Sequence, residues 1–252
     1  MSEDRSTLRT SLIPHLLDVI SYNLNRKVNN VAIYEVGSIF LSEEKEVTKQ
    51  PTEKEMVAGA FTGIAHSHLW QGEKKAVDFF VAKGVVEALI SELGLSHLIA
   101  FEQTKKPGLH PGRTASIVLD GSEVGFIGQI HPTLQKELDL NETYVFQIDL
   151  EQLLNYKQDD VAYEPIPRYP SISRDIALVV DEAVHAGKVQ QVIVTAGGRL
   201  LKNVQLFDLY QGEHMEAGKK SLAFSLTYFD PERTLTDEEV SQVHQKVLDQ
   251  LK

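Results

Sequence analysis

The 252-residue chain carries 25 Lys+Arg against 36 Asp+Glu, a formal net charge of -11, no cysteine and 42% hydrophobic residues. That is enough apolar material for one large domain or two ordinary ones, and it excludes disulfides, thiolate metal sites and cysteine nucleophiles. No apolar stretch approaches the roughly 18 residues of a membrane span and the start, MSEDRSTLRT, is too polar for a signal peptide, so a cytoplasmic protein is expected, one whose acidity leaves any RNA binding to a local surface.

From Leu8 to Leu24 the apolar residues Leu8, Leu12, Leu16, Ile20 and Leu24 recur every four positions, one face of a helix that begins near Pro14 or kinks there. VAIYEVGSIFL (Val31 to Leu41) is β-branched and aromatic and predicts a strand with a bulge at Gly37. The charged stretch Ser42 to Glu55 reads as a solvated connection, Met56 to Ile64 as a strand, and Asp78 to Leu93 as a helix closed by Gly94. Asp120-Gly121 between Ala115–Leu119 and Val124–Ile130 marks a hairpin, because this dipeptide supplies the positive φ angles of a type I′ turn. A short helix from His131-Pro132-Thr133 and a strand over Tyr144 to Leu150 complete the first module. Pro165, Pro167 and Pro170 then favour an extended connection.

The second module predicts a strand (Arg174 to Val180), a helix (Val184 to Ala196) ended by Gly197-Gly198, strands at Val204 to Tyr210 and Ser221 to Phe229, and a helix from Glu238 to Leu251. Thr236 and Glu239 form a capping box for that last helix. Strand, helix, strand, strand, helix is a ferredoxin-like unit without its closing strand. The expected domains are 1–157, a linker at 158–167, and 168–252.

Chemical motifs are sparse. His66, His68, His110 and His131 are candidate zinc ligands, but their spacing matches no HExxH pattern and turn histidines are the commoner case. Neither GxSxG, GxxxxGK nor GxGxxG occurs. Leu109-His110-Pro111-Gly112-Arg113 has the residue types of an anion site, and equally those of a tight entry into the hairpin, which is the commoner reading. Asp208-Leu209-Tyr210 ends a strand on an aromatic that can stack on an unpaired base or serve as a core tyrosine.

LHPGRTASIVLDGSEVGFIGQIHP (Leu109 to Pro132), MSEDRSTLRTSLIPHLL, YEVGSIF and VDFFVAKGVVEALI resemble the beta subunit of bacterial phenylalanyl-tRNA synthetase. RYPSISRDIALVVD (Arg168 to Asp181) and LFDLYQGEHMEAGKKSLAFSLTYFDPERTLTDEEV (Leu206 to Val240) look like the ferredoxin-fold anticodon-binding domain that closes that subunit, and the match runs the length of the chain in the same order.

The resemblance implies an α+β protein: the later part of a class II synthetase-like module that has lost its active site, then an anticodon-binding domain lacking its last strand, together a C-terminal fragment. It implies an alpha-subunit partner in a heterotetramer that ligates phenylalanine to tRNA(Phe), with ATP and magnesium used by the whole enzyme and no cofactor, catalytic residue or metal in this fragment. It also implies that Ala177, Asp208, Tyr210 and Ser221 contact the anticodon. A class II centre needs arginines on the ATP phosphates, one following a glycine-rich strand; no such string occurs here, so the fragment alone is expected to be inactive. The alternative is a purely structural scaffold with negligible RNA binding, and self-association through surface that the alpha subunit covers is a further expectation. Residues 161–252 hold 10 basic and 13 acidic side chains, net -3, against 15 and 23, net -8, in the first 160, so the acidity is concentrated in the first module.

Overall fold

The computed structural model describes residues 7–44, 48–68, 70, 72, 74–156, 166–212 and 215–252. They fall into two compact units, Met1–Val161 and Ala162–Lys252. The linker expected at 158–167 lies outside the described residues except for Ile166 and Pro167.

The first unit is built on a six-stranded, wholly antiparallel sheet. Its strands are β1 (Val31–Leu41), β2 (Thr52–Thr62), β5 (Ile99–Gln103), β6 (Leu109–Leu119), β7 (Ser122–Ile130) and β8 (Thr143–Asp149), in the order β1-β2-β8-β7-β6-β5. Alternation sends Met56, Ala58, Ala60 and Val145 to a core shared with helix α1 (Ile13–Leu24), while Val57, Phe61, Tyr144, Phe146 and Ile148 join a second core with helix α2 (Phe79–Glu92). With both faces covered, Met56–Thr62 and all of β8 are buried, the polar Thr62, Thr143, Gln147 and Asp149 included. Helices α3 (Pro132–Glu137) and α4 (Leu150–Tyr156) flank β8, and a small hairpin, β3 (Ile64–Ser67) with β4 (Lys74–Ala76), follows β2. Asp120 (φ 47°) and Gly121 (φ 80°) make the expected turn between β6 and β7.

Of two local expectations, one holds and one changes. Helix α1 starts at Ile13 with Pro14 in its first turn, and its N-terminus is held from a distance: the Gln147 Oε1 of β8 accepts from the Leu12 N–H (2.9 Å) and the Ser11 hydroxyl (2.8 Å). Gly37, by contrast, does not bulge. The β1–β2 register runs unbroken from Val31↔Thr62 to Leu41↔Thr52, and Gly37 instead makes room for Arg9, whose guanidinium fills the space where a Cβ would stand.

The second unit stacks two helices on one side of a three-stranded antiparallel sheet. Strands β9 (Ile172–Asp181), β10 (Leu201–Tyr210) and β11 (Lys219–Tyr228) lie in the order β10-β11-β9. Leu222, Phe224, Leu226 and Tyr228 of β11, Ile176 of β9 and Val204 of β10 pack against Val189 and Ile193 of α5 (Ala186–Gly197) and against Val240 and Val247 of α6 (Asp237–Gln250). This is the ferredoxin-like βαββα order; among the described residues no fourth strand joins the free edge of β9. Gly198, with φ 58°, ends α5, and Thr236 with Glu239 forms the capping box that opens α6.

Candidate nucleic-acid interface

Every second residue of the three-stranded sheet points away from α5 and α6. On β9 these are Ser173, Asp175, Ala177, Val179 and Asp181, all exposed, and on β11 they are Lys219, Ser221, Ala223, Ser225 and Thr227, all half-buried. Strand β10 adds Asn203 opposite Thr227 and Gln205 opposite Ser225.

Strict alternation along β10 would next put Phe207 and Leu209 on this face and turn Asp208 and Tyr210 toward the helices. The register slips by one residue between Leu206 and Asp208, leaving Phe207 without a partner, so that Asp208 sits opposite Ala223 and Tyr210 opposite Ser221. All four predicted contact residues therefore share the helix-free face in two adjacent rows, Asp208–Ala223–Ala177 and Tyr210–Ser221–Val179. Neighbouring strands lie about 4.8 Å apart, so each row spans roughly 10 Å. Val179, 61% exposed, was not among the predicted residues; its alternation with the core position Val180 is the sequence signal that identifies it.

Tyr210 is 42% exposed and its ring lies over the backbone of Gly212. The two rows thus present an aromatic face and the Val179 methyls on either side of the Ser221 hydroxyl, with the Asp208 carboxylate beside two alanines. Such a surface can stack bases and accept from or donate to their edges. Its charge is negative, from Asp175, Asp181 and Asp208, and the one cation among its described residues, Lys219, is paired with Glu216 at 2.9 Å. That hydrogen bond raises the Lys219 pKa and lowers that of Glu216.

On the helix side the Tyr228 hydroxyl meets His244 Nδ1 at 3.1 Å. Burial pushes the Tyr228 pKa up to about 12 and holds His244 below its ordinary value, so at neutral pH the phenol is protonated and the imidazole uncharged.

The other sequence candidates lie in the first unit and serve its fold. Residues 110–113 form a wide bulge between the pairs Leu109↔Ile130 and Thr114↔Gly128. Within it His110 Nδ1 accepts from the Gly112 N–H (3.1 Å), while Arg113 donates to Gln129 Oε1 and Glu142 Oε1, both at 2.9 Å. Glu142 also accepts from Tyr144, whose pKa is raised to about 12 by burial first and by Glu142 second. The bulge is thus a braced hairpin entry, and its arginine is engaged by Glu142. His131 accepts from the Thr133 N–H at the start of α3 (3.2 Å). His66 and His68 stand 6.4 Å apart, with His68 edge-on to Trp70. Among the described residues no group of three or more His, Asp or Glu side chains is disposed to hold a metal ion.

Comparisons with known proteins agree with this division. A family model described as the phenylalanyl tRNA synthetase beta chain CLM domain matches residues 1–150, and one described as the ferredoxin-fold anticodon binding domain matches residues 167–252. The phenylalanine--tRNA ligase beta subunit of Halalkalibacterium halodurans is 66% identical over 251 residues, covering 100% of this chain and 31% of that protein. The subunits of the same name from Bacillus licheniformis and Bacillus subtilis are each 58% identical over 248 residues, covering 98% of this chain and 31% of theirs. The chain thus spans about 31% of the length of these relatives. The pyrrolysyl-tRNA synthetase crystal structure from Desulfitobacterium hafniense matches 58% of this chain and 48% of its own at 14% identity, with a TM-score of 0.43, too slight a likeness to build on.

Proposed function

The chain belongs to the phenylalanyl-tRNA synthetase beta-chain family, and from that premise we propose that residues 168–252 bind the anticodon of tRNA(Phe) while residues 1–157 serve as a non-catalytic module that contacts the alpha subunit. The observation that carries this reading is the single helix-free face shared by Ala177, Asp208, Tyr210 and Ser221. A splayed anticodon base stacks on Tyr210, Asp208 accepts from a base amino or imino group, Ser221 donates or accepts, and Ala177 with Ala223 leaves room for close approach. Recognition by stacking and base-edge hydrogen bonds suits a face whose described residues include carboxylates and no free arginine.

Contact with the alpha subunit is supported by apolar surface on the edge strand β1, where Tyr34 is 77% and Val36 50% exposed. In the whole enzyme, ATP-dependent ligation of phenylalanine to tRNA(Phe), with magnesium, belongs to parts outside this chain. The described arginines of the first unit are engaged elsewhere: Arg9 with Glu35 and the Ser38 carbonyl, Arg26 over the Tyr22 ring, Arg113 with Glu142. Among the described residues no three His, Asp or Glu side chains are grouped to hold that magnesium.

The test is titration of an RNA hairpin carrying the tRNA(Phe) anticodon arm. Tyr210→Ala is expected to weaken binding about five- to 150-fold, since one base–aromatic stack contributes about 1–3 kcal/mol. Equal affinity of both forms would refute the anticodon reading and favour the scaffold.

A further inference from the structure

We propose that the helix-free face holds one more unpaired nucleotide, in a third row formed by Gln205, Ser225 and Asp175, whose polar atoms read the edge of a base bearing an amino group. This inference rests on the anticodon reading above. The register pairs Gln205 with Ser225 and Ser225 with Asp175, directly beside the row Asp208–Ala223–Ala177. The two rows are two residues apart on β11, about 7 Å, so a strand of nucleotides lying along β11 over the first two rows continues onto the third.

The chemistry of the row is that of a base edge. Asp175 only accepts, whereas Gln205 and Ser225 both donate and accept, so together they satisfy an exocyclic amino group, its neighbouring ring nitrogen and a carbonyl. No described residue pairs with the Asp175 carboxylate, and both Asp175 and Gln205 are exposed. A protein partner fits this row poorly, because the buried centre of a protein interface is depleted in Asp and Ser and rich in aromatic residues. The same carboxylates set the orientation of the strand. Asp175, Asp181 and Asp208 repel phosphates, so the bases face the sheet and the backbone faces water.

Titrations of the full chain with the anticodon-arm hairpin, and with hairpins altered at each loop position, test this. Asp175→Asn and Gln205→Ala are each expected to weaken binding about three- to tenfold, the range of one lost hydrogen bond, and to remove discrimination at one and the same loop position without moving the unfolding midpoint. If Asp175→Asn binds equally or more tightly while Tyr210→Ala still weakens binding, the carboxylate merely repels RNA; the third row is then refuted and the anticodon reading stands. If the unmodified chain binds no hairpin even at millimolar RNA, both are overturned.

Discussion

The ring of Tyr210 occupies the space in which Gly212 would carry a side chain: a Cβ there would stand 2.5 Å from the Tyr210 hydroxyl oxygen and 2.7 Å from Cζ. The pose of the aromatic platform therefore depends on the absence of a side chain at Gly212. Gly212→Ala is expected to swing the ring away and weaken binding of the anticodon-arm hairpin to near the level of Tyr210→Ala, with little change in thermal stability because both residues are at the surface. Anisotropy titration and a melting curve check this; unchanged affinity would show that the ring pose is irrelevant.

The Tyr228–His244 contact makes the second unit sensitive to mild acid. His244 has a pKa held by burial below its ordinary 6.5, so the unfolded chain takes up a proton before the folded one does. Stability is full above pH 6.5, declines as the pH falls through that value toward the folded pKa, and levels off below it. His244→Gln should flatten this part of the pH profile while leaving the acid limb set by carboxylates. Melting midpoints between about pH 7.5 and 5 decide the matter, and an unaltered slope in the variant would count against it.

In the first unit, Gly125 lies where β7 passes the backbone of β8. A Cβ would collide with the Gln147 carbonyl oxygen and come 2.8 Å from the Ile148 Cα, and neither atom can move without opening the sheet. Gly125→Ala should cost about 1–3 kcal/mol, read from urea unfolding followed by circular dichroism. Wild-type stability would mean that the strands separate freely at this point.

Thr236→Ala removes the hydroxyl that accepts from the Glu239 N–H, and the expected loss is about 1 kcal/mol. Glu239, whose pKa the Arg233 hydrogen bond and the Thr236 N–H bring down to about 2, then loses part of its setting, so the substitution should also raise the Glu239 pKa. Carboxylate titration by NMR measures that shift directly.

Phenylalanine-dependent pyrophosphate exchange is expected to be undetectable with the purified chain. Restoration of exchange by this chain alone would overturn its assignment as a non-catalytic module.

What could be read from the sequence was local. The Asp120-Gly121 turn and the Thr236–Glu239 capping box each depend on residues within a few positions, and both form as expected. Features that depend on distant residues were hidden. Gln147 holds the start of α1 from 135 positions away, β5 forms only by pairing with β6, and Gly37 answers to Arg9 rather than to its own strand. The same holds for the candidate interface: alternation along β9 sets Val179 outward, but only the pairing of three strands shows which residues it stands beside.

The unpaired Phe207 has a last consequence, for how such a site is inherited. Asp208 and Tyr210 keep to the outer face although β10 is one residue longer there than its partner, because the bulge absorbs Phe207. Deleting Phe207 would straighten β10 and still leave Asp208 opposite Ala223 and Tyr210 opposite Ser221, so hairpin binding should survive the loss of the bulge. Across relatives of this unit the pairing register, not the length of β10, constrains function, and a homologue that retains all four residues but lacks the extra one should still present them on this face.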